Sequence, residues 1–229
     1  MLDERAVILS AFAAACREYI RRGEFKTEGS FNRHLWTAAL GFFRDEINAF
    51  TFIDIFVNEI ENQLTRAWHE GARSVEVEPD DMTEADNLHL EAIINSEYDH
   101  VLGLAQAIED AKLSGISLDA FRVRFRSRID LWSARYREVV NEARIWFGGK
   151  KRLIWVLGRT EQHCQTCSAL NGVVAWAEEW DQSLLRPQHP PNEFLECGGW
   201  RCDCSLNPTD QRRSPRAFGI LTNIVVSKG

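Results

Sequence analysis

Proline is almost missing from the first two thirds of this chain. Pro79 is the only one before position 150, and Pro187, Pro190, Pro191, Pro208 and Pro215 all follow. A long stretch without proline admits long helices, because nothing in it forces a missing hydrogen bond or a fixed backbone angle. No apolar run approaches the roughly 20 residues that a bilayer-spanning helix needs, so no membrane span is expected. No basic segment precedes the alanine-rich stretch after Met1-Leu2-Asp3-Glu4-Arg5, which argues against a signal peptide and makes the cytoplasm of the producing cell the default location. An excess of positive charge is also lacking: the net charge is −7 and the isoelectric point near 5.5, which gives no general drive towards nucleic acid or acidic lipid. There is no Gly-x-Ser-x-Gly, no phosphate-cradling glycine loop and no His-Glu-x-x-His, so no enzyme is expected.

What is present divides the chain in two. With 229 residues, 45% hydrophobic and 27% charged, it has the composition of a globular protein and the length for one large domain or two modest ones. Residues 3–22 carry apolar positions at helical spacing and end in Arg21-Arg22-Gly23, a basic last turn and a glycine stop. A second helical run covers 31–71 and ends at Gly71, with a β-branched and aromatic centre, Phe50-Thr51-Phe52-Ile53, that is expected to bend or interrupt it. Residues 73–80 read as a loop, and Thr83 or Asp81 can cap the next helix, 83–113. Ser114-Gly115 breaks that helix and Ser117 caps another. In it Leu118, Phe121, Phe125, Ile129, Trp132, Tyr136, Val139, Ala143 and Trp146 step by 3 or 4 up to Gly148-Gly149. The expected fold is mainly α: an elongated helical bundle over 1–148, followed by a small metal-stabilised α+β module over 149–229. In that module Arg152–Leu157, Val173–Trp176 and Gly219–Val226 read as strands.

Charge is unevenly spread. Ten acids and one base lie between Glu70 and Asp99, whereas seven arginines face three acids between Arg122 and Arg144. The favoured reading is two helical faces of opposite sign in contact; the alternative is an arginine stripe facing phosphates. Glu178, Glu179 and Asp181 form an acidic cluster that reads as solvated loop residues.

Five of the six cysteines fall within 41 residues: Cys164-x2-Cys167, Cys197, and Cys202-x-Cys204, with His163 and His189 among them. A Cys-x2-Cys turn presents two sulfurs to one ion at about 2.3 Å. Two residues apart on an extended segment, Cys202 and Cys204 project from one face. A disulfide between those two is poor, because Cα atoms two apart on a strand sit near ~6.6 Å, at the edge of the permitted range. The favoured reading is a structural zinc site of Cys164, Cys167, Cys202 and Cys204, with Cys197 and His189 as alternates; disulfides and unbound thiols stand behind it. Metal binding contributes on the order of 10 kcal/mol to folding, enough to compensate for a thin core. His163 is expected beside the site, and Cys16, among alanines, is a small buried hydrophobe.

The run Trp155-Val156-Leu157-Gly158-Arg159-Thr160-Glu161-Gln162-His163-Cys164-Gln165-Thr166-Cys167-Ser168-Ala169-Leu170-Asn171-Gly172 resembles the head morphogenesis domain of phage Mu-type minor capsid proteins. That family shows a Thr-rich turn, Cys-x2-Cys, a Leu-x-Gly step, Pro-x-His-Pro and a closing Cys-x-Cys. Here the later elements match Leu170-Asn171-Gly172, Pro187-Gln188-His189-Pro190 and Cys202-Asp203-Cys204, with Trp180 after the glycine step. The likeness covers residues 150–207. In this chain eleven residues, Cys197-Gly198-Gly199 among them, stand between the His-Pro pair and Cys-x-Cys, where the family usually has none. The resemblance implies a minor head protein in multiple copies at the portal vertex or capsid interior of a virion, made in the host cytoplasm. It would act in head assembly or DNA packaging, with portal or major capsid protein and packaged DNA as partners and without turnover of its own. Against it stand a zinc-containing nucleic-acid-binding module, using Arg201, Arg212, Arg213 and Arg216, and a zinc hydrolase that would depend on an acid such as Glu161.

Overall fold

The computed structural model describes residues 28–159, 162–200 and 202–226. The helix expected over 3–22, Cys16, Glu161 and Arg201 lie outside them. The described chain is mainly α, with seven α-helices and one small three-stranded sheet. Four helices come first: α1 (Glu28–Phe43), α2 (Ala49–Ser74), α3 (Glu84–Leu113) and α4 (Leu118–Gly148). Then follow β1 (Arg152–Val156), α5 (Gln165–Leu170), β2 (Val174–Trp176), α6 (Ala177–Ser183), β3 (Ser205–Pro208) and α7 (Ala217–Val226).

Local side-chain chemistry sets the helix starts. Thr83 and Asp86 close a reciprocal cap on α3: Asp86 N–H donates to Thr83 Oγ1 at 3.3 Å, and Thr83 N–H to Asp86 Oδ2 at 2.8 Å. Ser117 Oγ accepts the Ala120 N–H at 3.2 Å and starts α4. The run expected over 31–71 is two helices, and the break falls at 44–48, ahead of the Phe50–Ile53 centre. There Asp45 adopts a φ of 61°, and Asn48 Oδ1 accepts the Thr51 N–H at 2.8 Å, so an asparagine cap, not β-branching, decides where α2 begins. Nor does Gly71 end α2, which runs on to Ser74.

The helices do not belong to one packing unit each. Residues 28–63 and Ala92–Ser133 form one compact unit; Leu64–Glu91 and residues 134–226 form another. The texture change at Gly149 marks a switch of secondary structure, whereas packing divides the chain inside α2, α3 and α4. In the first unit Phe42 stacks on Phe52 at 5.0 Å, Phe52 meets Phe56 at 4.4 Å, and Phe56 meets Trp132 edge-on at 5.5 Å. The Trp132 indole donates to buried Glu97 at 3.1 Å, so a wide ring enters the core without an orphaned N–H.

In the second unit β1 is the central strand, antiparallel to β2 on one side and β3 on the other. Leu153 and Trp155 point from β1 into a core with Leu170, Ala175, Trp180, Leu206 and Leu221. Trp180 Nε1 donates to Leu153 O at 3.2 Å. The third strand is Ser205–Pro208, not Gly219–Val226, which is helix α7. Ala217 and Leu221, four apart, are the buried pair of that helix, so its apolar residues serve a helical stripe and not an alternating strand. Proline closes the edge strand β3 without loss of a ladder bond. Glu179 is not solvated: it is 9% exposed, accepts the Trp176 N–H at 2.9 Å and is ion-paired with Arg213. Acids of α2 and α3 meet the aromatic tips of α4, Glu70 taking Tyr136, Asp86 taking Trp146 and Glu97 taking Trp132.

Gly71 lets α2 lie directly on α4. A Cβ there would stand 2.5 Å from Val140 O and 2.6 Å from Ala143 Cβ, both rigid neighbours. At Gly41 the nearest atom to such a Cβ is Ile47 Cγ1 at 3.6 Å, ordinary contact. Gly71→Ala is therefore expected to lower stability by roughly 1–3 kcal/mol through overpacking. Gly41→Ala should raise it by about 0.5–1 kcal/mol by restricting the unfolded chain. Urea denaturation of the two variants checks the opposite signs.

Candidate metal centre

Three separate segments of the second unit deliver the five thiols. Cys164 caps α5, its Sγ accepting the Cys167 N–H at 3.3 Å, and the first turn of that short helix carries Cys167 inward to 2% exposure. Cys197 arrives on the irregular segment after α6. Cys202 and Cys204 lie just before β3, whose pairing with β1 fixes them against the sheet. Glu196 ties the middle segment to α5: the Gln165 N–H donates to Glu196 Oε2 at 2.8 Å, and the Glu196 N–H to Thr166 Oγ1 at 3.4 Å. Asp203 fixes the last segment by accepting the Arg159 N–H at 3.1 Å and pairing with Arg137. Gly158 permits this closeness, since a Cβ on it would lie 2.1 Å from Asp203 O.

All five are free thiols. Cys167 Sγ stands 4.0 Å from Cys197 Sγ and 3.9 Å from Cys202 Sγ. These spacings are far too long for a disulfide bond. They lie close to the edge of about 3.8 Å that four sulfurs make around an ion with bonds of about 2.3 Å. The sulfurs form two triads, Cys164–Cys167–Cys197 and Cys167–Cys202–Cys204, each with its atoms within 4.8 Å of one another. Cys167 belongs to both. The five cysteines can hold a metal ion, and they number one more than a tetrahedral ion takes.

Electrostatics explains why an ion suits this place. The Cys204 thiol is held down to about 3, first by the hydrogen bond from Cys167 and then by that from Cys202. Cys167, which spends its proton on those sulfurs, is pushed up. Cys197 is pushed up to about 11, chiefly by burial, with the charges of Cys202 and Cys164 adding to it. Cys164 is lowered as well: burial raises it, but hydrogen bonds from Cys167 and Cys197 outweigh that. Without a cation the cluster thus favours thiolate at Cys204 and Cys164 and holds protons on Cys167, Cys197 and Cys202.

All four cysteines expected as ligands, Cys164, Cys167, Cys202 and Cys204, come together here, and the alternate Cys197 joins them. The other alternate, His189, goes elsewhere: its Nδ1 lies 2.6 Å from Glu138 Oε1, in a group with Glu142. The reason is the length of chain between His189 and Cys202, which lets the histidine turn to α4 while the thiols turn to α5. Sequence reasoning did not find Glu138, Glu142, Glu196 or Gly158. In the sequence both α4 acids count only as members of the arginine-rich stretch of that helix. No protein-family model matches the chain, and neither the curated proteins nor the solved structures contain a match to it.

Because Cys197 and Cys167 hold their protons at neutral pH, an ion that takes them as thiolates must expel those protons. Cobalt or zinc added to the metal-free chain at pH 7.5 is therefore expected to release more than one proton per ion. Affinity should rise with pH up to about 11 as the cost of removing the Cys197 proton falls. Calorimetry in buffers of different ionisation enthalpy measures both, and binding without proton release would show that thiolates are not the ligands.

Proposed function

We propose that the chain is a structural head protein of a phage, in which a zinc ion held by four of the five thiols fastens the C-terminal module. What carries this reading is the convergence of Cys164, Cys167, Cys197, Cys202 and Cys204 from three segments onto one place. Ligation by four sulfurs leaves no open position on a tetrahedral ion, which suits a closed structural ion better than a catalytic one. The ordered motif from Trp155 to Cys204 adds the resemblance to Mu-type minor head proteins, and with it a place at the portal vertex or inner capsid wall. The nucleic-acid reading loses one of its bases, because Arg213 is engaged by Glu179. Arg212 and Arg216 remain exposed.

Co-expression with candidate portal and capsid subunits tests the proposal. The native chain should co-purify with one of them at high as well as low salt, and carry zinc. Cys167→Ser, which breaks both triads, should lose the zinc and the association together. Binding to DNA that falls steeply with salt, with no retention of head subunits, would favour the rival module instead.

A further inference from the structure

A second set of metal-ligating side chains converges in the same unit without any sulfur. Glu138 and Glu142 lie one turn apart on α4 and are 4% and 9% exposed. Buried carboxylates are costly unless charge and hydrogen bonds compensate them. One oxygen of each, and a ring nitrogen of His189, lie within 4.8 Å of one another. Glu138 Oε1 and His189 Nδ1 approach to 2.6 Å, yet both atoms are buried and neither makes an aligned hydrogen bond. Two inward-facing lone-pair atoms can take a shared cation once they part to about 3 Å, the spacing that neighbouring donors keep around an octahedral ion with bonds of about 2.1 Å. His89 holds the Glu142 carboxylate, its Nε2 hydrogen-bonded to Glu142 Oε1 at 3.1 Å and its ring stacked on Trp146 at 4.0 Å. His189 also lines a cleft of about 460 Å³ with Arg186, Asn192 and Phe194, so the group has a route from solvent.

Two guanidiniums bear on the same carboxylates. Arg135 Nη1 is ion-paired with Glu138 through Oε1, the oxygen that faces His189. Arg186 holds Asp181 at 2.6 Å and reaches Glu142 only at 3.7 Å, beyond hydrogen-bonding distance. Its buried Nε has no hydrogen-bond partner. The Arg135 pair takes one lone pair of Glu138 Oε1 and leaves the other facing His189 Nδ1.

We propose that Glu138, Glu142 and His189, with His89 orienting Glu142, form a second metal site for a first-row divalent cation of the Mn²⁺ or Fe²⁺ kind. Two carboxylates with imidazole select such ions, as thiolates select zinc. The two centres are thus chemically separate, and this one stands or falls without the zinc clasp.

Mn²⁺ is the probe, because it avoids thiolate and its free form is read directly by electron paramagnetic resonance. The full chain is stripped with chelator, given one equivalent of zinc and titrated with Mn²⁺; one saturable site is expected. His189→Ala and Glu138→Gln should each weaken it by more than the about 10–100-fold that loss of an outer-sphere partner typically costs. His189 is partly exposed, so its truncation should leave the circular dichroism spectrum and the zinc content unchanged. Absence of a saturable Mn²⁺ site in the native chain, or a site that His189→Ala leaves intact, overturns the proposal.

Discussion

Five sulfur atoms brought from three segments into one partly buried place impose the condition on which the C-terminal module depends. One of them, Cys204, ionises readily because two neighbouring thiols donate to it. Neighbouring sulfurs around Cys167 stand about 4 Å apart in a partly dry site, where two thiolates repel far more than in water. A divalent cation turns this repulsion into binding, on a scale of about 10 kcal/mol for structural zinc. The module's own elements are a sheet of three short strands and helices of 6, 7 and 10 residues, which share one apolar core with Val75 and Ile145 of the helical part.

The helical part is built on another principle. Aromatic rings fill it, and carboxylates answer their polar edges. Trp132 meets Glu97 at 3.1 Å and Trp146 meets Asp86 at 2.7 Å, while Tyr136 is tied to Glu70. Burial and the Glu70 carboxylate hold the Tyr136 phenol in its protonated, donating form. The acid-rich stretch from Glu70 to Asp99 therefore supplies acceptors to aromatic donors on α4. Meanwhile Arg122, Arg124 and Arg126 stay exposed on that helix.

Signals that act within one turn of chain were legible. The Ser117 cap, the Thr83 cap, the period of α4 and the Cys-x2-Cys knuckle each follow from neighbours three or four residues away, and each appears where expected. What failed depended on distant partners. Gly71 looked like a helix stop because its real role, contact with Val140 and Ala143, lies some seventy positions on. The apolar Gly219–Val226 segment looked like a strand because nothing local says that Ser205–Pro208 already occupies the edge of β1. Glu138 and Glu142 were invisible for the same reason: charge beside an apolar stripe usually faces water, and only the return of His189 and His89 to that helix face makes them interior.

That return also accounts for the least regular part of the chain. Between Ser183 and Ser205 no helix or strand occurs among the described residues, a span of 21 positions. Connections longer than about 12–15 residues without structure of their own are uncommon in compact domains and are usually functional. This one is held by side chains: Asn192 Nδ2 donates to Leu184 O at 3.0 Å and Asn192 Oδ1 accepts the Phe194 N–H at 3.1 Å. Leu185 and Leu195 are buried. Its ends face different chemistry, His189 among carboxylates and Cys197, Cys202 and Cys204 among thiols. A segment with so few backbone bonds keeps one conformation only if those side chains are fixed, and ions are the strongest fixings such ligands accept. The irregular chain and the two clusters of ligating groups thus coincide: one loop brings His189 to the carboxylates and Cys197, Cys202 and Cys204 to the other thiols.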